Sequence, residues 1–347
     1  MRAVFAIALI LVALATLAVF EASNLLEPVD PQGEVQIFTV TRGTTLGQVA
    51  RELESRGLVR SAFATKWLGR YDNRAQHLRT GEYEVSPAST PREILERIAE
   101  GPVKTYPVSL PEGLRLEQIA ERLDAAGLVS APEFIAVARD PAFAASLGLP
   151  GDSMEGFLFP ETYRLPRGLP PTQVARVLAR EFLRNWKPVE PAAQKRGLSM
   201  RDVVILASIV EKETAAPEER PRIASVFHNR LEQGIPLATD PTVIYGIEDF
   251  DGNLTRAHLR DAKNPYNTYR HEGLPPGPIS NPGAAALRAV VEPEETRYLF
   301  FVSRNDGTHV FSRTYAEHEK AVDHYQRRGR SFCHCFDSRR FSRLCLG

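Results

Sequence analysis

The longest unbroken apolar run lies at the N-terminus. Residues 3–20, AVFAIALILVALATLAVF, contain no charge and one hydroxyl, Thr16. As a helix rising 1.5 Å per residue the run spans about 27 Å, just enough to cross a bilayer core. Arg2 and the terminal amine flank it on one side and Glu21 on the other. This predicts a cytoplasmic tip and transmembrane anchor over 1–22, with the rest of the chain outside the inner membrane. A cleaved signal peptide is the rival reading, disfavoured by the very short segment before the run and by the lack of a clear A-x-A site after it. Residues 23–35, acidic and patternless with Pro28 and Pro31, predict a linker.

A helical rhythm then appears twice. VTRGTTLGQVARELESRGLV (40–59) aligns with LPEGLRLEQIAERLDAAGLV (110–129) at a constant offset of 70. In each copy a β-prone stretch leads to a Gly turn. A helix follows with apolar residues at i, i+3, i+4 and i+7: Leu46, Val49, Ala50 and Leu53, then Leu116, Ile119, Ala120 and Leu123. Gly57 and Gly127 stand where a helix C-cap belongs. Between the copies, 81–85 reads as a strand and 91–101 as a helix. Such strand–helix modules either serve packing alone or position a carbohydrate, as in the LysM modules they loosely resemble. We therefore expect a LysM-like subdomain over 36–105 and a second repeat-like module over 106–150.

Beyond residue 150, EGFLFPETY interleaves Glu155 and Glu161 with aromatic residues, a composition that suits a sugar cleft or a hinge with solvated acids. Helices are predicted over 172–186, 199–214 and 219–233. YLFFVS–RNDG–THVFS reads as a hairpin on a strong NDG turn, followed by a helix.

One helix carries a distinctive acid. In MRDVVILASIVEKET (200–214), at 100° per residue, Val203, Leu206, Ile209 and Val210 centre on one face. With Leu206 at 0°, Glu213 falls at about −20°, inside that stripe, and Glu211 at about 140°, away from it. Burial and the negative end of the helix dipole would both disfavour ionisation of Glu213, keeping it a proton donor at neutral pH. Glu211 is expected to be solvated. The competing reading is a helix that ends earlier and leaves Glu213 exposed. Further on, Thr239-Asp240-Pro241 signals a turn or helix start. NPYNTYRHEGLPPGPISNPGA (264–284) is too rich in Pro, Gly and Asn to be an incidental loop.

Composition sharpens this picture. In 347 residues, 43 Lys and Arg balance 43 Asp and Glu, which removes the electrostatic case for nucleic-acid binding. At 43% hydrophobic and 25% charged residues the chain is that of an ordinary globular protein, of about two domains at this length. Cys333, Cys335 and Cys345 are the three cysteines, so the body has no disulfide framework. Cys333-His334-Cys335 is too cramped for a usual zinc site. No metal-ligand spacing or phosphate loop is present, and no metal or organic cofactor is expected. Residues 328–347 form an atypical Arg- and Cys-rich tail.

ASIVEKET, ASVFHNRL, TDPTVIYG, NPYNTY, GLPPGPISNPG and YLFFVS…GTHVFS occur here in that order. Together with the N-terminal anchor they resemble the endolytic murein transglycosylases (YceG-like) over about residues 1–327. The resemblance implies an α+β chain: a membrane helix, LysM-like β-α modules, then a mixed α/β catalytic domain over 151–327 with its acid on a helix. It implies cleavage of the MurNAc–GlcNAc bonds of nascent peptidoglycan glycan strands, with Glu213 as the catalytic acid. Glu155, Glu161, Asn229, Thr239, Asp240, Tyr245, Asn267, Thr268 and Tyr269 are the candidate substrate-binding residues. Partnership with peptidoglycan synthases is expected from the family alone. A muramidase using Asp240 or Glu161 as second carboxylate, and a non-catalytic glycan-binding scaffold, are the alternatives.

Overall fold

A computed structural model of the protein describes residues 2–214 and 216–327. The tail expected at 328–347, with its three cysteines, lies outside the described residues. The first element is α1 (Arg2–Asn24), whose side chains are described only in part. Among the described residues no helix is long and apolar enough to cross a membrane; the expected anchor rests on the sequence alone.

The chain divides into two compact units. One comprises Met1–Pro107 with Arg164–Leu169, the other Val108–Tyr163 with Pro170–Gly347. In the first, β1 (Gln36–Val40) pairs antiparallel with β2 (Gly81–Val85), Phe38 opposite Tyr83. Between these strands run α2 (Leu46–Ser55) and α3 (Ala62–Tyr71), and α4 (Pro91–Ala99) follows. Thr45 with Gln48 and Thr90 with Glu93 close reciprocal capping boxes at the starts of α2 and α4, satisfying backbone donors that a helix start leaves unpaired. Phe38, Val49, Leu53, Leu58, Tyr83, Ile94 and Ile98 meet in one core, each large side chain contributing about 1.5–3 kcal/mol by leaving water. The expected linker is tied down: the Asp30 amide donates to Pro87 O at 3.1 Å and the Ser86 hydroxyl to Gly33 O at 2.8 Å. A Cβ at Gly33 would stand 2.1 Å from Pro87 Cγ, so only glycine permits this approach.

The second copy of the repeat has the same local structure. β3 (Tyr106–Ser109) leads through Gly113 (φ 76°) into α5 (Leu116–Ala125), as β1 leads through Gly43 (φ 84°) into α2. Both helices bury the four residues their period predicts, and both are followed by a glycine with positive φ, Gly57 and Gly127. The next elements are α6 (Ala131–Ala138), α7 (Pro141–Ser146) and β4 (Thr162–Leu165). Then come α8 (Pro171–Trp186), α9 (Glu190–Lys195), α10 (Met200–Glu213), α11 (Arg220–Glu232), α12 (Asp240–Tyr245), α13 (Arg256–Arg260) and α14 (Ala284–Val291). The hairpin forms as predicted, with β5 (Phe300–Ser303) against β6 (His309–Ser312), and α15 (Tyr315–Val322) follows.

α10 is the axis of the second unit, packed on both α11 and α14. Every residue from Val203 to Val210 is buried. The amphipathic stripe expected there is therefore a helix buried all round, because neighbours cover its other faces as well. The Pro-rich loop supplies one of them. Ile279 N donates to the Ser208 hydroxyl at 3.0 Å, and Pro278 lies beside Val204 near Gly156.

Candidate active site

α10 ends at Glu213, and the Thr214 hydroxyl donates to Val210 O at 2.6 Å. Glu213 opens into a cavity of about 670 Å³ in the second unit, within the size range of ligand sites. Its other walls come from distant parts of the sequence: Arg230 of α11, Thr239 and Asp240 at the start of α12, Tyr269, the hairpin residues Phe300–Ser303 and His309, and Tyr315 and His318 of α15. Phe300 stacks on the His318 ring, centroids 5.2 Å apart, with Tyr315 at 6.0 Å. Two acids, Glu213 and Asp240, thus stand in a cleft whose side is aromatic.

The Thr239 hydroxyl donates a short hydrogen bond to Glu213 Oε1. Thr239 is itself fixed, its amide donating to the Thr268 hydroxyl at 3.1 Å. Burial pushes the Glu213 carboxyl above its ordinary range; the Thr239 bond draws it down, the Asp240 charge raises it further, and His309 and Arg230 lower it. Desolvation is the largest of these causes and favours the protonated acid. Asp240 Oδ1 accepts from the Tyr269 hydroxyl at 2.7 Å.

Glu211 differs from the expectation. Its side chain is 5% exposed, pairs with Arg220 at 2.9 Å, and accepts from Gly283 N at 3.0 Å. It is a buried structural charge rather than a solvated one, because α11 and the loop before α14 cover the face that the helical period assigned to water. The two glutamates are separated by their partners: one has a guanidinium, the other a hydroxyl.

Thr239, Asp240 and Tyr269 line the cavity with Glu213. Thr268 lies one shell behind, holding the Thr239 amide and the Thr242 hydroxyl. The remaining candidates do not line this cavity. Glu161 is exposed on the approach to β4 and bonds the Thr162 amide. Glu155 is buried at the start of α5, accepting from Leu116 N at 3.1 Å, Asn281 Nδ2 at 2.8 Å and the Tyr245 hydroxyl at 3.3 Å. Burial raises its carboxyl to about 7, against the lowering influence of the Leu116 amide. Tyr245 is occupied by that bond and by the Tyr266 ring, 4.8 Å away. Asn229 donates to Thr296 O and Tyr298 O, bracing the segment before β5. Asn267, fully buried, donates to the carbonyls of His258, Leu259 and Asp261. Amide side chains that suit sugars here close loops instead.

Arg230 escaped the sequence reading, in which His309 counts only as a scattered surface or cleft polar group rather than a ligand; both line the cavity. Arg230 Nε donates to Leu299 O at 2.6 Å and Nη1 to Leu237 O at 2.8 Å, which fixes its charge at the cavity wall. Glu219 accepts from the His309 backbone at 3.1 Å and meets its ring Nδ1 at 2.7 Å. No local pattern joins residues 219, 230 and 309; the one available signal was the hairpin, whose alternation points successive side chains to opposite faces. Among the described residues no group of three or more His, Cys, Asp or Glu could hold a metal ion.

Comparison with known proteins converges on one group. The model of the YceG-like family matches residues 38–324. An endolytic murein transglycosylase of Bacillus subtilis (strain 168) is 29% identical over 321 residues, 87% of this chain and 88% of that protein. A protein of the same description from Streptococcus pneumoniae serotype 2 is 25% identical over 328 residues, and the match spans 59% of its length. The crystal structure of a putative yceG-like protein from Listeria monocytogenes superposes with a TM-score of 0.57 at 30% identity, over 83% of this chain and 98% of that one. With the match running from β1 to the end of the last helix, the chain belongs to the YceG-like family.

Proposed function

We propose that the protein is an endolytic murein transglycosylase in which Glu213 is the single acid–base. Proteins of that description match this chain over most of its length. The observation that carries the residue assignment is the Glu213 carboxyl, raised by burial, in the lining of an aromatic-sided cavity. The substrate is the peptidoglycan glycan strand. Protonated Glu213 gives its proton to the oxygen between muramyl C1 and the next glucosamine, and the C1–O bond breaks. The muramyl 6-hydroxyl closes on C1, its proton passes to the Glu213 carboxylate, and a 1,6-anhydro end forms. No water is consumed. One carboxyl therefore suffices where most hydrolases use two, and the nucleophile is already tethered to the reacting sugar. Thr239 orients the carboxyl, Asp240 raises its proton affinity, and the exposed Tyr315 offers a ring face to sugars.

Residues 3–20 anchor the chain in the inner membrane, N-terminus inside, with the catalytic part in the periplasm. Residues 36–105 are LysM-like and hold glycan; the order strand, helix, helix, strand with β1 against β2 supports this. Peptidoglycan synthases are natural partners of an enzyme that ends nascent strands.

Product analysis by mass spectrometry, with full-length protein on purified glycan strands, tests the reading. Anhydro-muramic ends are expected, and Glu213→Gln should lower turnover about 10²–10⁴-fold. Undiminished turnover in Glu213→Gln would remove the assignment. Reducing muramic ends would mean hydrolysis, with Asp240, in the same cavity, as second carboxylate.

A further inference from the structure

In the first unit, α3 carries Phe63, Trp67 and Tyr71 at successive i+4 positions, hence along one face. They are 72%, 60% and 84% exposed. With Leu25, Leu26 and Leu68 they line an open apolar groove of about 350 Å³. Contiguous exposed aromatic surface on a small unit marks a contact site.

The fold states how far this groove lies from the end of the apolar N-terminal run. α1 continues past Phe20 to Asn24, and the Leu25 amide still donates to Glu21 O at 3.2 Å. At 1.5 Å per residue, Leu25 stands about 7.5 Å beyond Phe20 along the helix. The headgroup layer on one face of a bilayer is about 5–8 Å deep. The groove is held there. Arg60, just before α3, donates to Pro28 O at 2.8 and 3.1 Å and to Asn24 Oδ1 at 3.4 Å. It thus clasps the end of α1 to the start of α3. Charge agrees: residues 60–71, RSAFATKWLGRY, hold three cations and no acid. Trp and Tyr favour this depth of a membrane, and Lys and Arg favour its anionic surface.

We infer that the aromatic face of α3 docks on the outer headgroup layer of the bilayer that α1 spans, so that the first unit lies on the membrane instead of hanging from a free tether. The inference rests on the anchor reading above, and the test separates the two. Trp67 and Trp186 are the two tryptophans, and Trp186 is 4% exposed in the other unit. Emission of full-length protein, minus that of its Trp67→Phe variant, therefore reports Trp67.

The protein is reconstituted into phosphatidylethanolamine–phosphatidylglycerol vesicles, with or without lipids brominated near the glycerol end of the acyl chains. Docking predicts that brominated lipid quenches at least half of the Trp67 emission and that aqueous acrylamide quenches it poorly. Unquenched, acrylamide-accessible Trp67 in protein that resists alkaline carbonate extraction would overturn the docking and leave the anchor standing. Extraction by carbonate would overturn both. Shielding from both quenchers, in protein that cross-links as a dimer, would give the face to a second copy and overturn the lipid assignment.

Discussion

Burial of Glu155 makes the stability of the fold depend on pH. Its carboxyl is buried among the Leu116 amide, the Asn281 amide and the Tyr245 hydroxyl, and its pKa rises from 4.5 to about 7. At 1.36 kcal/mol per pH unit that displacement corresponds to about 3 kcal/mol between the protonated and ionised forms. The direction is opposite to that of a salt-bridged acid. Between the two values the folded chain holds a proton that the unfolded chain has released, so stability falls as pH rises from about 4.5 to about 7 and stays low above. Glu155→Gln mimics the protonated form, its oxygen still accepting from Leu116 and Asn281 while its nitrogen faces Tyr245. The variant is expected to match wild type near pH 4 and to exceed it by up to about 3 kcal/mol at pH 8. Urea unfolding of full-length protein in a Trp67→Phe background, followed at the buried Trp186 of the same unit, measures both curves. Parallel pH dependences would refute the argument. So would a variant weaker than wild type at pH 8, which would mean that the ionised carboxylate is stabilised by its three donors despite burial.

Three further outcomes are expected. Asp240→Asn removes a charge that raises Glu213, so the alkaline limb of the kcat/KM profile, where the acid loses its proton, should move to lower pH. Arg220→Ala leaves Glu211 buried without its cation and should cost about 3–5 kcal/mol in denaturant midpoint analysis, whereas Glu213→Gln should unfold no earlier than wild type. Gly156→Ala places a Cβ 2.6–2.7 Å from Val204 and Pro278 at φ 86°. Overpacking and the left-handed backbone together predict a loss of about 2–5 kcal/mol, read as a lowered Tm.

The sequence makes local structure legible here and tertiary partnership much less so. The two repeat copies are readable because a helical period and a positive-φ glycine are both short-range, and both helices bury the predicted four residues. The hairpin is readable for the same reason. The helical wheel, by contrast, could rank the faces of α10 only on the assumption that one of them meets water. All its residues from Val203 to Val210 are buried, and Glu211 differs from Glu213 through Arg220, nine positions on. Asn267 and Asn229 show a second limit: an amide can contact a sugar or close a loop, and the distinction lies in carbonyls that sequence does not place. Arg230 and His309 reach the cavity from an α-helix and a β-strand that share no pattern.

Asn281 has a consequence for dissection of the molecule. Its side chain accepts from Leu158 N at 2.8 Å and donates to Leu114 O and Glu155, while its backbone takes the Gly113 amide at 2.9 Å. Three strips of polypeptide, far apart in order of synthesis, are stitched at one carboxamide. A fragment begun after Gly151 would keep the Leu158 and Glu155 strips of that knot but lose Leu114 O and the Gly113 amide, leaving one Asn281 Nδ2 hydrogen and both of its backbone groups without these partners. The shortest excision expected to survive keeps the turn at Gly113 and the helix behind it, so the second copy of the repeat travels with the catalytic machinery whenever the protein is cut or spliced.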